Sequence, residues 1–151
     1  KADKIRYCQI GEPAVNIPIA NITGEYDSLY NKCGTVFTVL VFYEPDCGHC
    51  QKRLPVIADF YKQYENDERV NVIAFCMKDT KNEWIDFIKT YNTGNLINVW
   101  DPERKSNYWT NFDTSETPMI YILDSEKRIE AKNLEPEQLY GVAAYKLKVK
   151  N

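Results

Sequence analysis

The chain has one histidine and two methionines in 151 residues, and no run of apolar residues approaching a membrane span. A spanning helix needs on the order of 18–20 consecutive apolar residues. The longest run, Val36–Tyr43, is short and is broken by Thr38. No basic stripe is present either. Nineteen Lys and Arg are interspersed with 22 Asp and Glu for a net charge of −3, so nucleic acid is not an expected partner. Lys1-Ala2-Asp3-Lys4 has no apolar segment behind its charges, so no signal peptide is read there. A leader or a membrane tether outside this sequence stays open. There is no internal repeat, low-complexity tract or interdomain linker, and the length suits one domain with a real core. Lys1 to Gln9 is polar and reads as a flexible N-terminal arm, with residues 10–151 forming the domain. A second paired-cysteine motif is also missing. A zinc site would have to recruit Cys76 and one of Cys8 or Cys33, so neither a metal nor a cofactor is expected.

What the sequence does have is five cysteines and one arrangement that concentrates chemistry. Val36 to Tyr43 is β-branched and aromatic, as a buried strand is. Glu44-Pro45-Asp46 turns the chain, and Cys47-Gly48-His49-Cys50 follows. From Gln51, the residues Leu54, Ile57, Ala58, Tyr61 and Tyr64 recur at helical spacing, predicting a helix over Gln51 to Glu65. Two thiols therefore stand where a strand passes into a helix N-terminus. Unpaired N–H groups and the positive end of the helix dipole stabilise a thiolate there.

Further elements follow from periodicity. Asn16 to Ile22 suits short strands and Tyr26 to Asn31 a helical turn. Val70 to Phe75 is a strand in βαβ relation to the first. Asn82 to Tyr91 is a helix with Trp84, Phe87, Ile88 and Tyr91 on one face. Ile97 to Trp100 is a short strand, and Glu103 to Phe112 is read as helical. Met119–Leu123 and Arg128–Ala131 flank Asp124-Ser125-Glu126-Lys127 as a hairpin. A last helix starts near Pro136. The order predicts an α/β domain with a mixed central sheet flanked by helices.

With Thr117-Pro118 opening an apolar strand some 70 residues after the dithiol, the chain resembles the thioredoxin superfamily from about Ile10 to Leu139. It is most similar to the periplasmic or membrane-associated thiol–disulfide interchange proteins. Phe42-Tyr43, Cys-Gly-His-Cys, Pro55 and Thr-Pro carry the likeness. The resemblance implies a thioredoxin-like fold with an N-terminal hairpin extension and an inserted element. It implies a thiol–disulfide oxidoreductase that exchanges disulfides with protein substrates and with an upstream redox partner. Cys47 is then the exposed nucleophile and Cys50 the buried resolving thiol. Gly48 permits close approach of a partner. The His49 imidazolium favours the Cys47 thiolate. Pro118 is expected to follow a cis bond, leaving the backbone at Thr117 to pair with an extended substrate. Cys-Gly-His-Cys is the motif of protein disulfide isomerases, which implies a potential nearer about −180 than about −270 mV.

Two departures from the family pattern are expected to retune the site. Asp46 replaces a common Trp, and its carboxylate would raise the Cys47 pKa. Val41 stands where many relatives bury an acid, which leaves Glu44 or water to take the Cys50 proton. Cys8 and Cys33 are either a structural disulfide or two thiols, and Cys76 is read as a core residue. An extracytoplasmic compartment is expected, with a cytoplasmic one left open. Two rival classes remain. One is a peroxidase, suggested by Gly11-Glu12-Pro13-Ala14 but opposed by Glu44 in place of a threonine. The other is a thioredoxin-like binding module or redox sensor without turnover.

Overall fold

The structure, a computed structural model, describes residues 8–150. Two short strands come first, β1 (Pro18–Ala20) and β2 (Tyr26–Ser28), paired antiparallel as a separate two-stranded sheet. A 3-10 turn, Leu29–Lys32, follows and is capped by the Ser28 hydroxyl. The central sheet is built on β3 (Phe37–Tyr43), whose seven residues are all buried. A strand without a solvent face must have neighbours on both edges and cover on both sides. Its neighbours are β4 (Val70–Cys76), parallel, and β6 (Met119–Leu123), antiparallel. Strands β5 (Ile97–Val99) and β7 (Ile129–Lys132) complete the mixed order β5-β4-β3-β6-β7.

Alternation along β3 sends its side chains into two cores. Val39, Val41 and Tyr43 face the helices α1 (Gly48–Tyr61), α2 (Lys81–Thr90) and α4 (Gln138–Lys150), meeting Leu54, Trp84 and Leu139. Leu40 and Phe42 face the other way, toward Ile17, Leu29 and Phe112. Phe42 anchors that side, with ring centroids 5.1 Å from Phe75 and 5.0 Å from Phe112. Gly34 enters β3 through a passage without room for a side chain. A Cβ there would lie 2.5 Å from the Phe37 carbonyl and 2.7 Å from that of Arg69.

Three expectations need adjustment. The first helix begins at Gly48 rather than Gln51, because Cys47 itself caps it. Only α3 (Tyr108–Asn111) forms within the span 103–112. There the buried Asp101 carboxylate accepts the backbone N–H groups of Lys105 and Ser106, both at 2.9 Å. With those amides drawn to a side chain, and Arg104 and Asn107 at positive φ, a continuous helix cannot start earlier. Of the expected arm over residues 1–9, residues 1–7 lie outside the described residues. Cys8 is fully buried in the second core, so the chain is already anchored there.

Candidate active site

The Glu44-Pro45-Asp46 turn delivers Cys47 to the end of the sheet as the N-cap of α1, with extended φ/ψ of −90° and 121°. N-cap positions usually take an oxygen that accepts a free N–H of the first turn. Here a sulfur does so: Cys47 Sγ accepts the Cys50 N–H at 3.2 Å. From the opposite side the Thr117 hydroxyl donates to the same sulfur at 3.4 Å, and the thiol donates to the Thr117 carbonyl at 3.4 Å. The Thr117–Pro118 peptide bond is cis. The loop before β6 and the start of α1 thus meet on one sulfur.

Burial works to raise the Cys47 pKa and is the largest single influence. The bonds from Cys50, Thr117 and the His49 backbone together outweigh it, and the thiol ends below its ordinary value. Cys50, one turn into α1 and fully buried, moves the other way. Burial raises it first, and the hydrogen bond it shares with Cys47 adds to the effect. The pair is therefore polarised, with a half-exposed thiol that ionises easily and a buried one that holds its proton. All five cysteines are thiols, with no disulfide at Cys8 or Cys33. Cys33 donates to the Leu29 carbonyl.

His49 is exposed, and it is its backbone N–H that bears on Cys47. Gly48 has no backbone need to be glycine, since a Cβ there would meet nothing within 4 Å. The Glu44 carboxylate acts on Cys76, Tyr108 and Lys78, while its backbone reaches Cys50. Asp46 is paired with Lys78 Nζ at 3.3 Å. Cys76 is a core residue pushed up to about 12 by burial.

Beside the thiols lies an open groove of about 400 Å³ lined by Cys47, His49, Arg53, Glu116, Thr117, Pro118 and Asn133. Arg53, Glu116, Asn133 and Lys78 were not singled out from sequence. Arg53 had a signal, being four residues after His49 on the same helix face. Glu116 adjoins the Thr-Pro dipeptide. Asn133 and Lys78 arrive only through folding. Among the described residues no group of three or more His, Cys, Asp or Glu is placed to hold a metal, and no helix is long and apolar enough to cross a membrane.

A mixed sheet with a dithiol at a helix N-terminus and a cis-proline loop against it defines a thioredoxin-type protein. The thioredoxin-like family model matches residues 34–129, and the chain belongs to that family. Among curated proteins none matches the chain. Among solved structures it is similar to a domain titled "possible thiol-disulfide isomerase" from Cytophaga hutchinsonii. That domain is 29% identical with a TM-score of 0.82, and the match covers 94% of this chain and 96% of that one. A thiol:disulfide interchange protein from Bacteroides sp. is 20% identical at TM-score 0.81, covering 93% and 91%. A thiol-disulfide oxidoreductase from Bacteroides fragilis is 17% identical at TM-score 0.78, covering 89% and 98%. The last two likenesses are of fold.

Proposed function

We propose that this protein is a thiol–disulfide oxidoreductase that exchanges disulfides with protein substrates through Cys47 and Cys50. The observation that carries the reading is the polarised pair: one accessible sulfur bonded by the helix N-terminus and Thr117, one buried sulfur a turn behind it. The Cys47 thiolate attacks a substrate disulfide, forming a mixed disulfide and releasing one substrate thiolate. Cys50, deprotonated in turn, attacks Cys47 Sγ and releases the second. Two electrons pass to the substrate, which takes up two protons, and Cys47–Cys50 becomes the disulfide. The reverse sequence oxidises a dithiol.

A groove open to solvent fits an extended polypeptide better than an enclosed small molecule. Pro118 lines it beside the sulfur, Thr117 holds the sulfur, Gly48 presents no side chain next to it, and His49 stands at its edge. An upstream redox partner resets the pair. The titles of the Cytophaga and Bacteroides relatives support the same activity. Disulfide exchange with protein substrates suits an extracytoplasmic setting, in the bacterial periplasm or on a membrane. Replacing Cys50 by Ser should trap protein partners on Cys47 as mixed disulfides, seen on non-reducing gels and identified by mass spectrometry. Adding Cys47→Ser should remove them all. Adducts that persist without Cys47 would sink the reading. A Cys47–Cys50 disulfide that forms reversibly without turnover on any protein would instead mark a redox sensor.

A further inference from the structure

The groove beside Cys47 has two unlike walls. One is the start of α1, which presents His49 and Arg53, and the other is the loop before β6, which presents Glu116, Thr117 and Pro118. The charges on these walls are not equally free. Arg53 already has a carboxylate, since its guanidinium lies 3.4 Å from Glu135 Oε1 on the segment leading into α4. Its charge is offset before any substrate arrives. Glu116 is exposed, and its carboxylate has neither a hydrogen bond nor an ion pair among the described residues. The loop's other carboxylate, Asp113, accepts the Ser115 N–H at 3.1 Å and the Ser115 hydroxyl at 2.7 Å. Glu116 therefore leaves an uncompensated negative charge on the loop wall.

The place of that charge gives it a use. Thr117 is bonded to Cys47 Sγ through both its hydroxyl and its carbonyl, each at 3.4 Å. Glu116 is the residue before it, one Cα–Cα step of about 3.8 Å away. A substrate joined to Cys47 through its own cysteine lies along this loop, and an extended chain advances only about 3.3 Å per residue. Whichever way the chain runs, a residue one or two positions from the substrate's cysteine passes Glu116. A Lys or Arg there reaches the carboxylate on a flexible stem and completes the charge that the fold leaves open. An acidic side chain at the same place meets repulsion, and Arg53, held by Glu135, gives little relief. We infer that Glu116 selects protein disulfides whose cysteine is flanked by Lys or Arg. The inference rests on the exchange reading above and adds the sign of the charge that the groove reads. Glu116 makes and breaks no bond. It acts on capture of the substrate, the step that complementary charges speed.

Short peptides that differ only in having Lys, Ala or Glu on both sides of a single cysteine test it. Each is presented as its mixed disulfide with 5-thio-2-nitrobenzoate, to protein in a Cys50→Ser background. The Cys47 thiolate attacks the peptide sulfur and forms the Cys47–peptide S–S bond. The peptide–nitrobenzoate bond breaks and the coloured thiolate leaves, so its release reads capture. Rates are divided by those of 2-mercaptoethanol, an uncharged thiol, with the same peptides. On that scale the Lys peptide should be captured about threefold faster than the Ala peptide and the Glu peptide about threefold slower, the size that an exposed ion pair allows. Both ratios should shrink as salt rises. Glu116→Gln should bring them to unity, and Glu116→Lys should invert them. Ratios that are the same with and without Glu116→Gln would overturn the inference. So would a Glu116→Gln rate that changes equally for all the peptides, which would mean that the residue acts on Cys47 itself. Capture needs only Cys47, so the ratios are read whether or not the pair turns over. Absence of turnover by the parent protein would count against the exchange reading, not against the role of Glu116.

Discussion

Asp46 shows how a charge beside the reactive sulfur in sequence can find its partner elsewhere in the chain. Its carboxylate precedes the reactive sulfur, and alone it would oppose ionisation of Cys47. Lys78, from the segment after β4, holds it at 3.3 Å and also lies 4.0 Å from Glu83. The Cys47 pKa is lowered despite Asp46, with hydrogen bonds from Cys50, Thr117 and His49 outweighing burial. Replacing Lys78 by Met should therefore expose Cys47 to the carboxylate and slow its alkylation by iodoacetamide at neutral pH. Because the pair is solvent-exposed, the change should be modest, about twofold at low salt and fading as salt rises. A rate that does not respond to Lys78→Met at any ionic strength would show that Asp46 has no hold on the sulfur. Sequence made Asp46 visible and could not reveal Lys78, because their pairing exists only after β4 is laid beside β3. The Cys47, Cys50 and Thr117 positions were legible because the Cys-Gly-His-Cys and Thr-Pro motifs are local.

Among the elements, the segment after β5 departs most from its sequence pattern. Tyr108 and Phe112 are spaced as on a helix, yet Asp101 organises the seven residues 101–107 as a loop. It accepts the Tyr26 hydroxyl at 2.6 Å, the Ser106 hydroxyl at 2.6 Å and the two backbone N–H groups. Burial pushes its pKa up most, but these bonds together prevail and hold it below the ordinary carboxylate value. A carboxylate with a lowered folded pKa contributes stability at pH above its unfolded value of about 3.9. That contribution is lost as pH falls through the folded value. Asp101→Asn should cost about 1.5–3 kcal/mol near neutrality, the range for hydrogen bonds to a charged group. The difference from the parent should shrink below about pH 4 in urea denaturation. A gap that stays constant across that range would contradict the account. Periodicity could not foresee this loop, because it records burial and not the capture of backbone amides by a distant side chain. It did locate β3, β4, β6 and the helices α1 and α2, where burial decides.

At the scale of the molecule, the fold brings the C-terminal end of β3, the start of α1 and the loop before β6 to one place. Strand β3 pairs with both β4 and β6, so Cys47 and Thr117, 70 residues apart, meet at one end of the sheet. The architecture was readable from the order of apolar runs and turns, and the dithiol's setting from the strand-to-helix transition. The groove wall of Arg53, Glu116 and Asn133 was not, since three separate elements supply it. The account's central claim is that Cys47 and Cys50 form a working redox pair. Equilibration against glutathione, with the two cysteines followed by mass spectrometry and insulin reduction assayed in parallel, tests it most directly. A reversible Cys47–Cys50 disulfide with a midpoint between about −180 and −270 mV, and insulin reduction lost on Cys47→Ser, is the predicted result. A pair that does not oxidise reversibly, or activity that survives Cys47→Ser, would contradict it.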